Sequence, residues 1–306
     1  MKPKMFLIGG YGWAATSPLM YTLQRNAKYA HFGYTKHFRC LWYPEGLRAK
    51  KKASYIYKKV CDGTWENYKS LEPSSHRMNL TVDLEPLRDF PRHHFTQLVT
   101  GNATLSMYMD YYHALHDHVI SKGYKSVGDG HTGYEIHRFP PLFYQTLMQE
   151  FDVKFLVIVR DPVRRAFSQY LYKIQKVSDG RWNSSLPCRF PKLPDYVSNL
   201  HNAYKIFGRD RTHITVMEEL WEGDDTAKKK LSQFLDHPIQ KLWKNLYAPD
   251  RGHLVEYDKD VPCQAYGQNV ELTPDIYNHY RKKYDHVYQA WEKEFVTIPL
   301  HWGRPL

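Results

Sequence analysis

The chain has 306 residues, of which 42% are hydrophobic and 15% aromatic, and it carries a formal net charge of +11. That length and apolar content suffice for one large domain with a sizeable core, and the longest apolar runs, about five residues, are far short of a membrane span. The positive balance favours an anionic partner such as a nucleotide or an acidic glycan, and it speaks less for nucleic acid, because the tight basic cluster Lys50 to Lys52, with Lys58 and Lys59 beyond it, reads as a solvated helix face. Cys40, Cys61, Cys188 and Cys263 are too widely spaced for a C-x-x-C zinc site. A mean hydropathy of −0.65 and the absence of a signal-peptide core before Phe6 lead to the expectation of a cytoplasmic protein, or a lumenal one if an anchor precedes it.

The first element is a strand from Met5, followed by the glycine-rich turn Gly9-Gly-Tyr-Gly-Trp-Ala-Ala15 and a helix over about 17–27, with Thr16 or Ser17 as its cap and Pro18 in its first turn. A loop of this kind, Gly10, Tyr11, Gly12, Trp13, Ala14, Ala15, Thr16 and Ser17, directs backbone N–H groups at an anion. A Walker A loop needs Gly-Lys-Ser/Thr, which is missing here. Gly10 to Ala15 does match G-x-G-x-x-A, but a dinucleotide site wants an acidic residue about 20 positions on, and none precedes Glu45.

Residues 45–122 read as mainly helical, closing on a helix from Thr104 to Lys122 before Gly123. Its His113, His116 and Asp117 lack the spacing of known metal motifs and read as packing or surface residues, so no metal is expected. A short strand over 124–129 runs into Gly130-His-Thr-Gly-Tyr134, which places the Asp129 carboxylate at a strand end. His131 is a second candidate base, since an imidazole titrates near neutrality. A helix over 138–150 then leads back to a strand over 153–160.

That strand carries the chain's strongest signal. Phe155-Leu-Val-Ile-Val159 is an apolar, mostly β-branched run that stops at Arg160. Asp161 is a good N-cap, Pro162 suits a first helical turn, and Val163, Ala166, Phe167 and Tyr170 recur at helical spacing. Arg160 therefore falls at the carboxyl end of a central strand, with Arg165 and Ser168 in the first turns of the next helix. Two guanidinium groups and a hydroxyl at a helix N-terminus suit a phosphate-like dianion. A Gly-, Ser- and Pro-rich loop follows over 178–194, then a helix over 195–207, a strand over 213–217, an amphipathic helix over 224–236, and a helix opened by Thr273-Pro-Asp.

The order R-D-P-x-x-R-x-x-S after an apolar strand resembles the 3′-phosphate-binding segment of sulfotransferases that use 3′-phosphoadenosine 5′-phosphosulfate (PAPS). The resemblance extends with gaps over about 5–295 and is closest to the glycan-modifying branch. It implies a P-loop-like α/β fold, a mostly parallel sheet flanked by helices, formed by one domain over 1–306 with 45–122 as a helical insertion shaping the acceptor site. It also implies PAPS as cofactor, adenosine 3′,5′-bisphosphate as product, and a carbohydrate or small-molecule acceptor.

By the same resemblance Arg160 and Ser168 hold the 3′-phosphate, and the loop up to Ser17 holds the 5′-phosphate. Gly12 stands where the family has Lys or Arg, and Ala14 and Ala15 replace the usual Gly and first Thr, so Lys36, in the segment matching the acceptor cleft, is the candidate replacement cation. Asp129 takes the place of the family's proposed general base, a Glu, with His131 as runner-up. Glu218 to Leu235 matches an architectural element, and Gly267 keeps the turn of the loop that wraps the cofactor. A Cys188–Cys263 disulfide is implied for a lumenal relative. The alternatives are a non-catalytic binder of PAPS, its product or an anionic glycan, and a nucleotide-dependent kinase-like transferase.

Overall fold

The computed structural model describes residues 2–10, 14–33, 85–91, 94, 105–130, 141–177, 190, 195–221, 225–242, 263–265, 268–270, 272–299 and 301–303. Five strands, β1 (Lys4–Gly10), β2 (Ala30–His31), β3 (Ser126–Gly130), β4 (Asp152–Val159) and β5 (Thr212–Val216), form a sheet in the order β2-β3-β1-β4-β5. Every pairing in it is parallel, as expected for strands joined by helical crossovers. A separate antiparallel pair joins β6 (Cys263–Ala265) to β7 (Gln268–Val270).

The apolar run predicted around Phe155 is buried on both faces, which is why it reads as continuous rather than alternating. Val153, Phe155, Val157 and Val159 point to one side, while Leu156 and Ile158 point to the other. On the first side lie α2 (Leu105–Ser121), α3 (Pro141–Glu150), α4 (Pro162–Val177), α5 (Tyr196–Phe207), α8 (Pro274–Lys283) and α9 (Asp285–Phe295). The second side is covered by α1 (Thr16–Tyr21), its π-helical continuation Thr22–Asn26, α6 (Met217–Trp221) and α7 (Asp225–Leu235). Helix α2, at the end of the predicted insertion, is part of the main core: its Tyr112 and Leu115 are fully buried against the sheet.

The connections place the site. The chain leaving β1 turns to the second face, whereas the chains leaving its neighbours β3 and β4 turn to the first. Such a divergence opens a crevice at the carboxyl ends of parallel strands, the usual ligand position in open α/β sheets. The carboxyl edge is also stepped: β3 ends at Gly130, level with Ile8, and β1 ends at Gly10, level with Ile158.

Three local readings need correction. The cap of α1 is Ala15, in the left-handed region at φ 59° with no side-chain bond, and Thr16 is the first helical residue instead of the cap. Beyond Tyr21 the predicted helix widens into a π-helix, with Ala27 N–H donating to the Thr22 carbonyl and the Thr22 hydroxyl to that of Pro18. The terminal helix is two helices, broken at Tyr284 (φ −99°, ψ 11°). Thr273 caps α8 as predicted, accepting from Ile276 N–H with Pro274 behind it.

Candidate anion site at the end of the central strand

Arg160 is the first residue beyond β4, and its carbonyl accepts a hydrogen bond of 3.2 Å from the Tyr196 hydroxyl of α5. Its guanidinium donates through Nη1 to Ser168 Oγ at 2.8 Å, spanning the first two turns of α4. Arg160, Arg165 and Ser168 are each about 5% exposed. The structure thus joins Arg160 and Ser168 at a strand end, with Arg165 buried in the first turn of the same sixteen-residue helix.

Asp161 caps that helix: its Oδ1 accepts from Arg164 N–H at 2.9 Å. Its other oxygen, Oδ2, accepts from the hydroxyls of Tyr277 (2.9 Å) and Tyr288 (2.8 Å) and from Gly303 N–H (3.3 Å). Burial raises the pKa of both tyrosines, and the Asp161 charge adds to it, so both remain donors. The cap is therefore also the junction through which the two C-terminal helices attach to the end of β4.

A second buried carboxylate lies behind Arg160. Glu218, fully buried in α6, has Oε1 accepting from Asp161 N–H at 3.0 Å and lying 3.9 Å from Arg160 Nε. Its Oε2 accepts from the Trp302 indole N–H at 3.1 Å. Burial pushes the Glu218 carboxyl up to about 7, with the Asp161 charge adding and the Arg160 guanidinium opposing. Sequence reading treated Glu218 as architectural and gave Trp302 no role. Their bond joins residues 84 apart, and no local periodicity encodes such a contact.

At the last residue of β1, Gly10 has φ +146°, and a Cβ there would lie 2.6 Å from the Ile158 carbonyl oxygen. Only glycine fits where the loop leaves the sheet against β4. Ala14 and Thr16 are buried, Ala15 is half-buried, and Ser17 lies within α1. Tyr11, Gly12 and Trp13 lie outside the described residues, as do Lys36, His131 and Gly267.

Asp129 is 2% exposed, and its Oδ2 accepts from the Tyr108 hydroxyl of α2 at 2.7 Å. It sits level with Leu7, three residues short of Gly10, at the foot of the step between β3 and β1. With β1 between them, β3 and β4 are about 10 Å apart, so Asp129 and Arg160 belong to strands on opposite sides of β1. His113 pairs with Glu150 and His116 with Asp117, both at 3.2 Å, and among the described residues no cluster of three or more His, Cys, Asp or Glu is able to hold a metal ion. The Cys188–Cys263 pairing falls outside what is described.

The residues fit a phosphate-bearing cofactor at the Arg160 end, where two buried guanidinium groups, one already bonded to a buried hydroxyl, offer the several donors that a dianion needs. At the β1 end the fit rests on the tight Gly10 backbone.

No protein-family model and no curated protein matches the chain. Among solved structures it is similar to a sulfotransferase from Alicyclobacillus acidocaldarius, at 15% identity and a TM-score of 0.47 with 98% of each chain covered. It is similar to the sulfotransferase domain of the Synechococcus PCC 7002 olefin synthase, at 12% identity and a TM-score of 0.46 with 97% of each chain covered. A third similar structure is retinol dehydratase in complex with androsterone and the inactive cofactor PAP, at 12% identity and a TM-score of 0.40, with 99% of this chain and 84% of that one covered.

Proposed function

We propose that this chain is a sulfotransferase that uses PAPS and modifies a hydroxyl or amine of a carbohydrate or small-molecule acceptor. The observation that carries the reading is the Arg160–Ser168 hydrogen bond of 2.8 Å at the end of the central parallel strand. When bound, PAPS supplies the sulfuryl group and leaves as adenosine 3′,5′-bisphosphate. Arg160, Arg165 and Ser168 hold its 3′-phosphate, and backbone N–H groups of the Gly10 to Ser17 loop hold its 5′-phosphate. Asp129 or His131 takes the acceptor's proton; Asp129 is oriented for this by the Tyr108 hydroxyl. Lys36 supplies the cation that Gly12 does not. The fully buried Asp129 and the cation-free Gly12 favour one second reading, a binder of the same nucleotide without turnover.

Calorimetric titration with adenosine 3′,5′-bisphosphate and with adenosine 5′-monophosphate tests the proposal. The wild type binds the bisphosphate more tightly, and Arg160→Ala weakens that binding roughly a hundredfold while leaving the monophosphate nearly unaffected. Equal affinity of the wild type for the two nucleotides would remove the 3′-phosphate assignment. With binding in place, release of bisphosphate from PAPS that is lost in Asp129→Asn or His131→Ala separates the enzyme from the binder.

A further inference from the structure

Two buried guanidinium groups, of Arg160 and Arg165, and two buried carboxyl groups, of Asp161 and Glu218, share the end of β4. Their charges meet at the Tyr196 hydroxyl of α5, which donates to the Arg160 carbonyl. Burial raises the pKa of that hydroxyl; the Arg165 and Arg160 charges oppose the rise and those of Asp161 and Glu218 add to it, so it stays a neutral donor. The guanidinium groups keep their charge at any working pH. The Asp161 carboxylate is committed to the cap of α4 and to the donors from Tyr277, Tyr288 and Gly303. Glu218 is the group of the four that can change charge near neutrality. Its Oε1 accepts from Asp161 N–H and lies 3.9 Å from Arg160 Nε, its Oε2 accepts from the Trp302 indole, and Glu219 beside it on α6 is half-buried. A protonated carboxyl keeps acceptor lone pairs on both oxygens, so both of these N–H bonds survive the change.

A dianion on Arg160 upsets this balance, because it adds a second anion to a buried guanidinium that Glu218 already faces. We propose that the anion site is proton-linked: when a 3′-phosphate binds Arg160, the Glu218 carboxylate takes up a proton from solvent. Before binding, the carboxyl, pushed up by burial to about 7 with the Arg160 charge opposing and the Asp161 charge adding, is partly ionised near neutrality. The phosphate raises it further, since two anions close together disfavour each other's charge. Protons are therefore taken up on binding above about pH 7, and affinity falls as pH rises. The phosphate's own second ionisation, at about 6, is nearly complete by then and has the opposite effect below it.

The inference rests on the assignment of Arg160 to a 3′-phosphate, and its test separates the two. Calorimetric titrations with adenosine 3′,5′-bisphosphate and adenosine 5′-monophosphate are run at about pH 7.5 in buffers of different ionisation enthalpy, which counts the protons taken up. The wild type is expected to take up at least about half a proton more with the bisphosphate than with the monophosphate. Its affinity for the bisphosphate is expected to fall roughly tenfold from about pH 7 to about pH 8.5. In Glu218→Gln, whose amide cannot titrate, the extra uptake disappears and the affinity no longer falls. A wild type that prefers the bisphosphate but takes up equal protons with both nucleotides overturns the proposal and leaves the site assignment standing. Extra uptake that persists in Glu218→Gln overturns it too, because another group then carries the proton. A wild type without preference overturns both. Should Glu218→Gln fail to fold, the wild-type comparison decides: extra uptake supports the proposal, and equal uptake overturns it.

Discussion

Arg160 and Ser168 meet because eight residues of a strand–helix junction bring a guanidinium over two helical turns onto a hydroxyl. That spacing is local, which is why both residues were legible in the sequence. Glu218 was legible only as an acidic residue at a strand end, because its meaning lies in burial and in partners from two distant segments. Its titration has a measurable consequence. The folded carboxyl is raised from 4.5 to about 7, so its contribution to stability is present in full below about 4.5 and is lost as pH rises through about 7. His213, stacked on Phe234 at 5.0 Å, goes the other way: burial, with the Lys230 charge adding, lowers it from 6.5 to about 4, so its contribution is present above 6.5 and is lost as pH falls through about 4. Between about 4.5 and 6.5 the two slopes oppose each other. Urea unfolding across this window checks the pair. The stability of Glu218→Gln relative to wild type increases as pH rises, and that of His213→Phe increases as pH falls. Parallel curves for Glu218→Gln and wild type would mean that the carboxyl does not titrate there.

At the scale of elements, α4 begins where β4 ends, and Asp161 joins them. Its carboxylate caps the helix and also accepts from Tyr277, Tyr288 and Gly303, so removing it breaks a cap and leaves three donors in the interior. Asp161→Ala is expected to cost about 3 kcal/mol, and Asp161→Asn about 1 kcal/mol, since Asn caps equally well and the tyrosine hydroxyls can turn to meet its amide. Equal costs in chemical denaturation would show that the cap alone matters. Strand and helix limits came through the sequence to within one to three residues for β4, α2, α3, α5 and α7, where apolar periodicity is strong. The start of α1 did not. Thr16 looks like a cap, yet Ala15 takes that place in the left-handed region, which an alanine does not announce in the sequence. The break at Tyr284 was hidden as well: no Gly or Pro marks it, and Tyr277 and Tyr288, on either side of it, both hydrogen-bond the distant Asp161.

At the scale of the molecule, the parallel sheet and its diverging connections put every located candidate along one stepped edge: Asp129 low on β3, Gly10 at the end of β1, and Arg160 above β4. The fold class was readable from the resemblance carried by the segment from Phe155 to Ser168. The contact of residues 302 and 303 with Glu218 and Asp161 was not, because it joins segments far apart in the chain. A net charge of +11 favours anionic partners in general, and the two buried arginines and the hydroxyl are the groups we propose for one phosphate. The most direct measurement is therefore a crystal structure of the chain with adenosine 3′,5′-bisphosphate. The 3′-phosphate is expected within hydrogen-bond distance of Arg160 and Ser168, with the 5′-phosphate at the loop following Gly10. A nucleotide bound with its 3′-phosphate away from Arg160 would contradict the account at its centre.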